Sequence, residues 1–127
     1  MRVISCLSFI AFLSLFAQSA HADSQLDRGK EIFVKCAACH SIKPGSHRTG
    51  PSLHNVVNRS AGTEEGYWYS KAMLAKAEEG FVWTEQHLDE FLTKPQRYIR
   101  LTKMSYKGLK DPADRAAIIA YLKTNGE

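Results

Sequence analysis

What this chain lacks narrows it quickly. It has three cysteines, four prolines and three methionines in 127 residues, and its formal net charge is only +4. A positive charge so small and so dispersed along the chain excludes nucleic acid as a partner. No stretch sustains a period-two alternation, which excludes a sheet as the organising element, and no internal repeat or low-complexity segment occurs. The one long apolar run, Val3 to Ala17, is shorter than the ~20 residues needed to cross a bilayer. Beyond Cys6 the cysteines are a single close pair, Cys36 and Cys39. A structural zinc module would want a second ligand pair at close spacing, and His47 to His54 is too wide for that.

The apolar run has another reading. Arg2 precedes it, and Ala20-His21-Ala22 follows as a small-x-small cleavage site. Residues 1–22 therefore read as a signal peptide cut after Ala22 and residues 23–127 as one small domain, which places the protein in the periplasm. Cys6 leaves with the signal, so Cys36 and Cys39 are the only thiols of the exported chain.

Those thiols stand in Cys36-Ala37-Ala38-Cys39-His40. Cys-x-x-Cys followed directly by histidine is the attachment sequence of c-type haem. Residues three apart share a helical face, so both sulfurs can reach the vinyl groups along one porphyrin edge. The adjacent histidine can then bind the iron through Nε2. One covalently bound haem c per chain is the cofactor this predicts. A small domain with a limited core gains from enclosing such a large apolar group.

Around the motif the period is helical. Ser24 caps an expected first helix reaching Cys39, with Leu26, Gly29, Ile32, Phe33 and Cys36 near one face. Gly29 costs such a helix about 1 kcal/mol relative to alanine, and a close crossing by another helix would account for it. Ser41 to Gly66 reads as a long loop, and a loop of that length in a compact domain wraps something. Ser70 opens a short helix that Gly80 ends, and Thr84 opens another, stopped before Pro95. Pro95 to Lys110 reads as a second loop. Asp111-Pro112-Ala113-Asp114 then starts a last helix, running to about Thr124, with Ile118, Ile119, Tyr121 and Leu122 as its apolar face. The fold expected is all-α.

The second axial ligand decides the chemistry. Outside the signal the methionines are Met73, in a helical pattern and suited to packing, and Met104, in the second loop. Met104 is the candidate, on the far side of the sequence from His40; His47, His54 and His87 are the competitors for a bis-histidine site. A neutral thioether favours Fe(II) and raises the potential, and two strong protein ligands leave no open position for oxygen or peroxide. Such a site carries electrons and is not an enzyme.

In their order and spacing these residues resemble the class I c-type cytochromes, in the branch of mitochondrial cytochrome c and bacterial cytochrome c2. The likeness rests on Gly29-Lys30-Glu31-Ile32-Phe33 before the haem motif, then Thr49-Gly50-Pro51-x-Leu53, Arg59 and Gly66-Tyr67-x-Tyr69-Ser70. It continues through Trp83, Pro95-x-x-Tyr98-Ile99, Thr102-Lys103-Met104 and Ile119-Ala120-Tyr121-Leu122. The resemblance implies the small cytochrome c fold over residues 23–127, with the first and last helices crossing at Gly29, Phe33 and Tyr121. It implies that the Pro51 carbonyl accepts the Nδ1–H of His40, and that Arg59, Tyr69, Ser70, Trp83 and Thr102 meet the haem propionates.

The chain departs from that pattern in three places. Arg100-Leu101 stands where these cytochromes carry Pro-Gly, so the ligand loop loses a preset φ and a permissive glycine. Phe91 stands where a tyrosine commonly hydrogen-bonds the methionine sulfur, and Met73 replaces a polar asparagine. Lys35, Lys43, Lys94, Arg97, Arg100, Lys103, Lys107 and Lys110 flank the segments expected around the haem edge. They would steer a monomeric carrier to acidic docking faces on membrane redox complexes: a quinol–cytochrome c reductase as donor, and a terminal oxidase or photosynthetic reaction centre as acceptor.

Overall fold

The computed structural model describes residues 13–125, with side chains described from residue 22 onward. Most of the expected signal segment lies outside these residues. The described chain forms five helices: α1 Leu13–Cys36, α2 Lys71–Glu78, α3 Glu85–Thr93, α4 Pro95–Tyr98 and α5 Pro112–Thr124. The architecture is all-α, and the only β pairing among the described residues is an isolated bridge between Ser60 and Val82. No helix among them is long and apolar enough to cross a membrane.

Three expected boundaries need correction. Helix α1 is described from Leu13 and in the uncleaved chain runs straight through Ser24, so Ser24 there occupies a helix interior with no exposed first turn to cap. At its other end α1 stops at Cys36 instead of Cys39, because the chain tightens there: the Cys39 N–H bonds the Cys36 carbonyl at 3.0 Å and the His40 N–H bonds it at 2.9 Å. The second loop opens with one helical turn, α4. Pro95 removes the N–H that would continue α3, yet its fixed φ suits the first position of a new helix. Lys94, just before it, is pushed to an extended φ of −161°.

The remaining starts follow the local chemistry. Ser70 Oγ accepts from the Met73 N–H, Thr84 Oγ1 from that of His87, and an Asp111 carboxylate oxygen from that of Ala113. Helices α1 and α5 cross at Gly29. A β-carbon there would lie 2.2 Å from the Ala117 carbonyl oxygen and 2.6 Å from Tyr121 Cβ. Phe33 and Tyr121 pack beside the crossing with ring centroids 5.6 Å apart. Ile32 of α1 and Ala117, Ile118 and Leu122 of α5 are buried there. Arg28 pairs with Asp114 at 2.7 Å on the exposed flank, where solvent screens the attraction.

Between α1 and α2 the chain is loop, held by pairing with the segment before α3. The Trp83 N–H bonds the Arg59 carbonyl at 2.9 Å, the Asn58 N–H bonds that of Trp83 at 2.8 Å, and the Ala61 N–H bonds that of Phe81 at 2.8 Å. This short ladder sets Arg59 beside Trp83, although 23 residues of loop and helix lie between them in sequence.

The crossing makes a direct prediction. Gly29→Ala gains about 1 kcal/mol of helix propensity, but the methyl has nowhere to go except into α5 backbone. Net destabilisation of roughly 1–3 kcal/mol is expected, read as a lower midpoint in urea unfolding; an unchanged or higher midpoint would mean the helices can separate freely.

Candidate functional site

The helices and both loops line a cavity of about 350 Å³. Its walls are largely aliphatic and aromatic: Leu53 and Val56 from the first loop, Met73 from α2, Leu88, Phe91 and Leu92 from α3, Leu109, and Ile118 and Leu122 from α5. Cys36, Cys39, His40, Pro51, Arg59, Tyr69, Ser70, Trp83, Thr102 and Met104 all line it as well. The folded chain thus gathers every candidate residue named from the sequence around one space. The competing histidines His47, His54 and His87 are not among the lining residues.

His40 is the most constrained of these groups. Its Nδ1 lies 2.7 Å from the Pro51 carbonyl oxygen. A carbonyl can only accept, so Nδ1 carries the proton and Nε2 keeps its lone pair. Burial pushes the pKa of His40 below the ordinary histidine value, with the Pro51 carbonyl opposing and the nearby Arg59 charge adding to the fall. The ring is therefore a neutral imidazole with one free nitrogen, the form that binds metals. Gly50 fixes its position from the side: a β-carbon there would stand 2.3 Å from Cε1 of His40. The sequence pattern contains Gly50 but did not reveal this contact, which depends on the loop folding back. The Gly50 N–H makes that fold, bonding the Cys39 carbonyl at 2.7 Å.

The cysteines flank the same wall. Cys36 is half-buried and Cys39 exposed, with no disulfide between them. Thr102, Lys103, Met104, Ser105 and Tyr106 line the cavity as a continuous strip. Thr102 Oγ1 accepts from the Met104 N–H at 3.3 Å. The turn before it is closed by the Thr102 N–H on the Ile99 carbonyl at 3.2 Å. Leu101 sits in that turn at φ +65°, so the loop keeps a left-handed residue even without glycine there.

Polar groups collect at one end. Arg59 donates to the His54 carbonyl at 2.7 Å, the Ser52 carbonyl at 3.0 Å and Glu64 Oε1 at 2.6 Å. Its Nε–H is left over, the one buried side-chain polar atom among the described residues without a hydrogen-bond partner. A buried donor in that state costs about 1–3 kcal/mol unless an acceptor meets it. Tyr69 Oη accepts from the Glu64 N–H at 3.3 Å, which leaves its own hydrogen available to donate. An apolar slot with donors at one end, a neutral imidazole on one wall and a thioether on another matches a haem with its carboxylates.

The comparisons with known proteins agree. The cytochrome c family model matches residues 26–126. The chain belongs to the cytochrome c family. It is 45% identical over 97 residues to cytochrome c2 of Afifella marina, covering 76% of this chain and 78% of that one. To cytochrome c2 of Rhodoblastus acidophilus it is 46% identical over 97 residues, covering 76% and 88%. Among solved structures, cytochrome c2 from Rhodospirillum centenum superposes with a TM-score of 0.74 at 32% identity, covering 80% of this chain and 98% of that one. Cytochrome cH from Methylobacterium extorquens superposes with a TM-score of 0.71 at 35% identity, covering 78% and 97%. This cytochrome is accordingly an electron carrier with one covalently bound haem c, and not an enzyme.

The seat of His40 is testable on its own. Gly50→Ala should push the ring off the Pro51 carbonyl and destabilise the holoprotein by roughly 1–3 kcal/mol. Thermal unfolding reads this directly, and an unaltered melting temperature would show that the ring has room to spare.

Proposed function

We propose that this cytochrome is a periplasmic, monomeric shuttle whose axial ligands are His40 and Met104 and whose thioether links are made by Cys36 and Cys39. The observation that carries this is the lining of the cavity, which includes His40 and Met104 and omits the other histidines. Those histidines are engaged elsewhere. His47 bonds the Glu65 carbonyl at 2.7 Å through Nε2 and accepts the Ser52 N–H at Nδ1, and His87 Nδ1 lies 2.6 Å from the Val82 carbonyl. Met73 also lines the cavity, but it is 8% exposed within the packed core. Met104 lies on the polar-backed loop strip.

Bound there, haem c supplies a one-electron Fe(II)/Fe(III) couple. The chain's own contribution is positional. Pro51 and Gly50 hold the His40 ring. Met104 would offer the iron a soft neutral sulfur, which would support a high potential. Arg59, Tyr69, Ser70, Trp83 and Thr102 are the residues for the propionates, with the Arg59 Nε–H free to meet a carboxylate. Residues 1–22 would direct export and be removed by a cut after Ala22.

Docking falls to the basic residues. Lys35 and Lys103 are exposed and border the cavity, and Lys43, Lys94, Arg97, Arg100, Lys107 and Lys110 are exposed as well. Their charge suits acidic faces on a membrane quinol–cytochrome c reductase and on an oxidase or reaction centre. Attraction of this kind speeds encounter and weakens with salt.

One experiment tests the ligand assignment. The oxidised parent protein should show the weak sulfur-to-iron(III) absorption band, and the reduced protein should resist carbon monoxide at neutral pH. Met104→Ala should lose the band and bind carbon monoxide rapidly, while Met73→Ala keeps the band; the reverse pattern would give the site to Met73. For docking, reduction of the holoprotein by a purified quinol–cytochrome c reductase should slow several-fold between low and physiological ionic strength. Rates indifferent to salt would remove the electrostatic part of the proposal.

A further inference from the structure

Arg59 brings its positive charge to the cavity with a carboxylate bound to it. Its Nη1 donates to Glu64 Oε1 at 2.6 Å, and the two side chains are each only 15% exposed. A pair so far removed from water is little screened, so the charges act on each other and on the cavity beside them. The other titratable neighbour is His47, whose Nδ1 lies 4.0 Å from Glu64 Oε2; that nitrogen accepts the Ser52 N–H at 3.1 Å while Nε2 faces the Glu65 carbonyl. An Nδ1 that accepts has no hydrogen to give Glu64, so the carboxylate is left to Arg59. Tyr69 contributes a hydroxyl that accepts the Glu64 N–H at 3.3 Å.

Counting donors sharpens the point. A guanidinium has five N–H groups. Nη1 is committed to His54 and Glu64, one Nη2 hydrogen goes to Ser52, and the buried Nε–H remains unpartnered. Arg59 can therefore give an anion in the cavity a hydrogen bond while Glu64 offsets part of its charge.

We propose that Glu64 is a potential-setting residue: its carboxylate neutralises Arg59 at the propionate end of the haem and so holds the reduction potential down. Oxidised haem carries one more positive charge than reduced haem, so a nearby anion favours the oxidised form. An unopposed Arg59 would favour the reduced form. Glu64 touches neither iron nor its ligands; it acts through Arg59. The inference rests on the reading that Arg59 faces the propionates, and it is independent of which residue fills the sixth position.

The test is a redox titration of the holoprotein with four variants. At the parent's midpoint, Glu64→Gln, nearly the same size without the charge, should raise the ratio of reduced to oxidised protein about threefold or more. Glu64→Asp, which keeps the charge, should stay near the parent ratio. Arg59→Gln should lower the ratio, and Arg59→Gln/Glu64→Gln should return toward the parent because both charges are gone. A Glu64→Gln ratio equal to or below the parent's overturns the proposal, and so does a Glu64→Asp ratio matching Glu64→Gln. Should Glu64→Gln alone lose the parent's haem spectrum, the comparison moves to the Arg59→Gln background, where adding Glu64→Gln must raise the ratio; no rise there overturns it equally. A parent protein that binds carbon monoxide would sink Met104 ligation while leaving this charge comparison intact.

Discussion

A neutral imidazole can face the interior only if its N–H has somewhere to go, and the 2.7 Å bond from His40 Nδ1 to the Pro51 carbonyl meets that requirement. That bond fixes the tautomer, and the tautomer decides which nitrogen faces the cavity. It also forces the loop after the haem motif to double back, since residues 40 and 51 must meet. Gly50 is the consequence. The chain passes so close beside the ring that any β-carbon would overlap it. Thus one hydrogen bond ties together the path of a loop, the identity of a glycine and the orientation of the unprotonated imidazole nitrogen.

The rest of the fold backs that arrangement. Helices α1 and α5 lock through Gly29, and α5 then presents Ile118 and Leu122 to the cavity. Helix α3 supplies Leu88, Phe91 and Leu92, and Arg115 of α5 ties it in place by an ion pair with Asp89 at 2.7 Å. The loops do what helices could not. They bring polar groups from distant positions to one end of an apolar slot, using backbone bonds such as Asn58 to Trp83 to fix their course. A carrier gains from this division: rigid walls keep the two oxidation states alike in geometry, and the polar end sets their relative energy.

Much of this was legible in the sequence because the signals were local. Ser70, Thr84 and Asp111 each announce a helix start by a side chain that bonds two or three residues ahead. Gly29 was legible as an anomaly needing a close crossing. The start of α1 was not, because Ser24 looks like a cap whether or not a helix precedes it; only the upstream Leu13–Ala22 stretch decides. Helix α4 hid behind the double role of proline, which ends one helix and begins another. The Glu64 contact was invisible for a different reason. Five residues separate it from Arg59 in a loop, and no periodicity tells which loop side chains turn inward.

Leu101 shows how far tertiary context overrides local preference. Residues 99–102 form a turn whose third position takes φ +65°, where glycine is the favoured residue. A leucine there costs roughly 1–2 kcal/mol, and its side chain, 87% exposed, recovers nothing from the interior. What holds the turn lies on either side of it. The Thr102 N–H bonds Ile99 at 3.2 Å, Thr102 Oγ1 takes the Met104 N–H at 3.3 Å, and Lys103 Nζ reaches across to the Trp68 carbonyl at 2.6 Å. At about 1 kcal/mol net for each bond, these outweigh the strain, with buried Ile99 anchoring the start of the turn. The loop shape therefore belongs to its neighbours more than to the Pro-Gly that the family pattern supplies, and a single unfavourable φ does not move Met104 from the cavity wall.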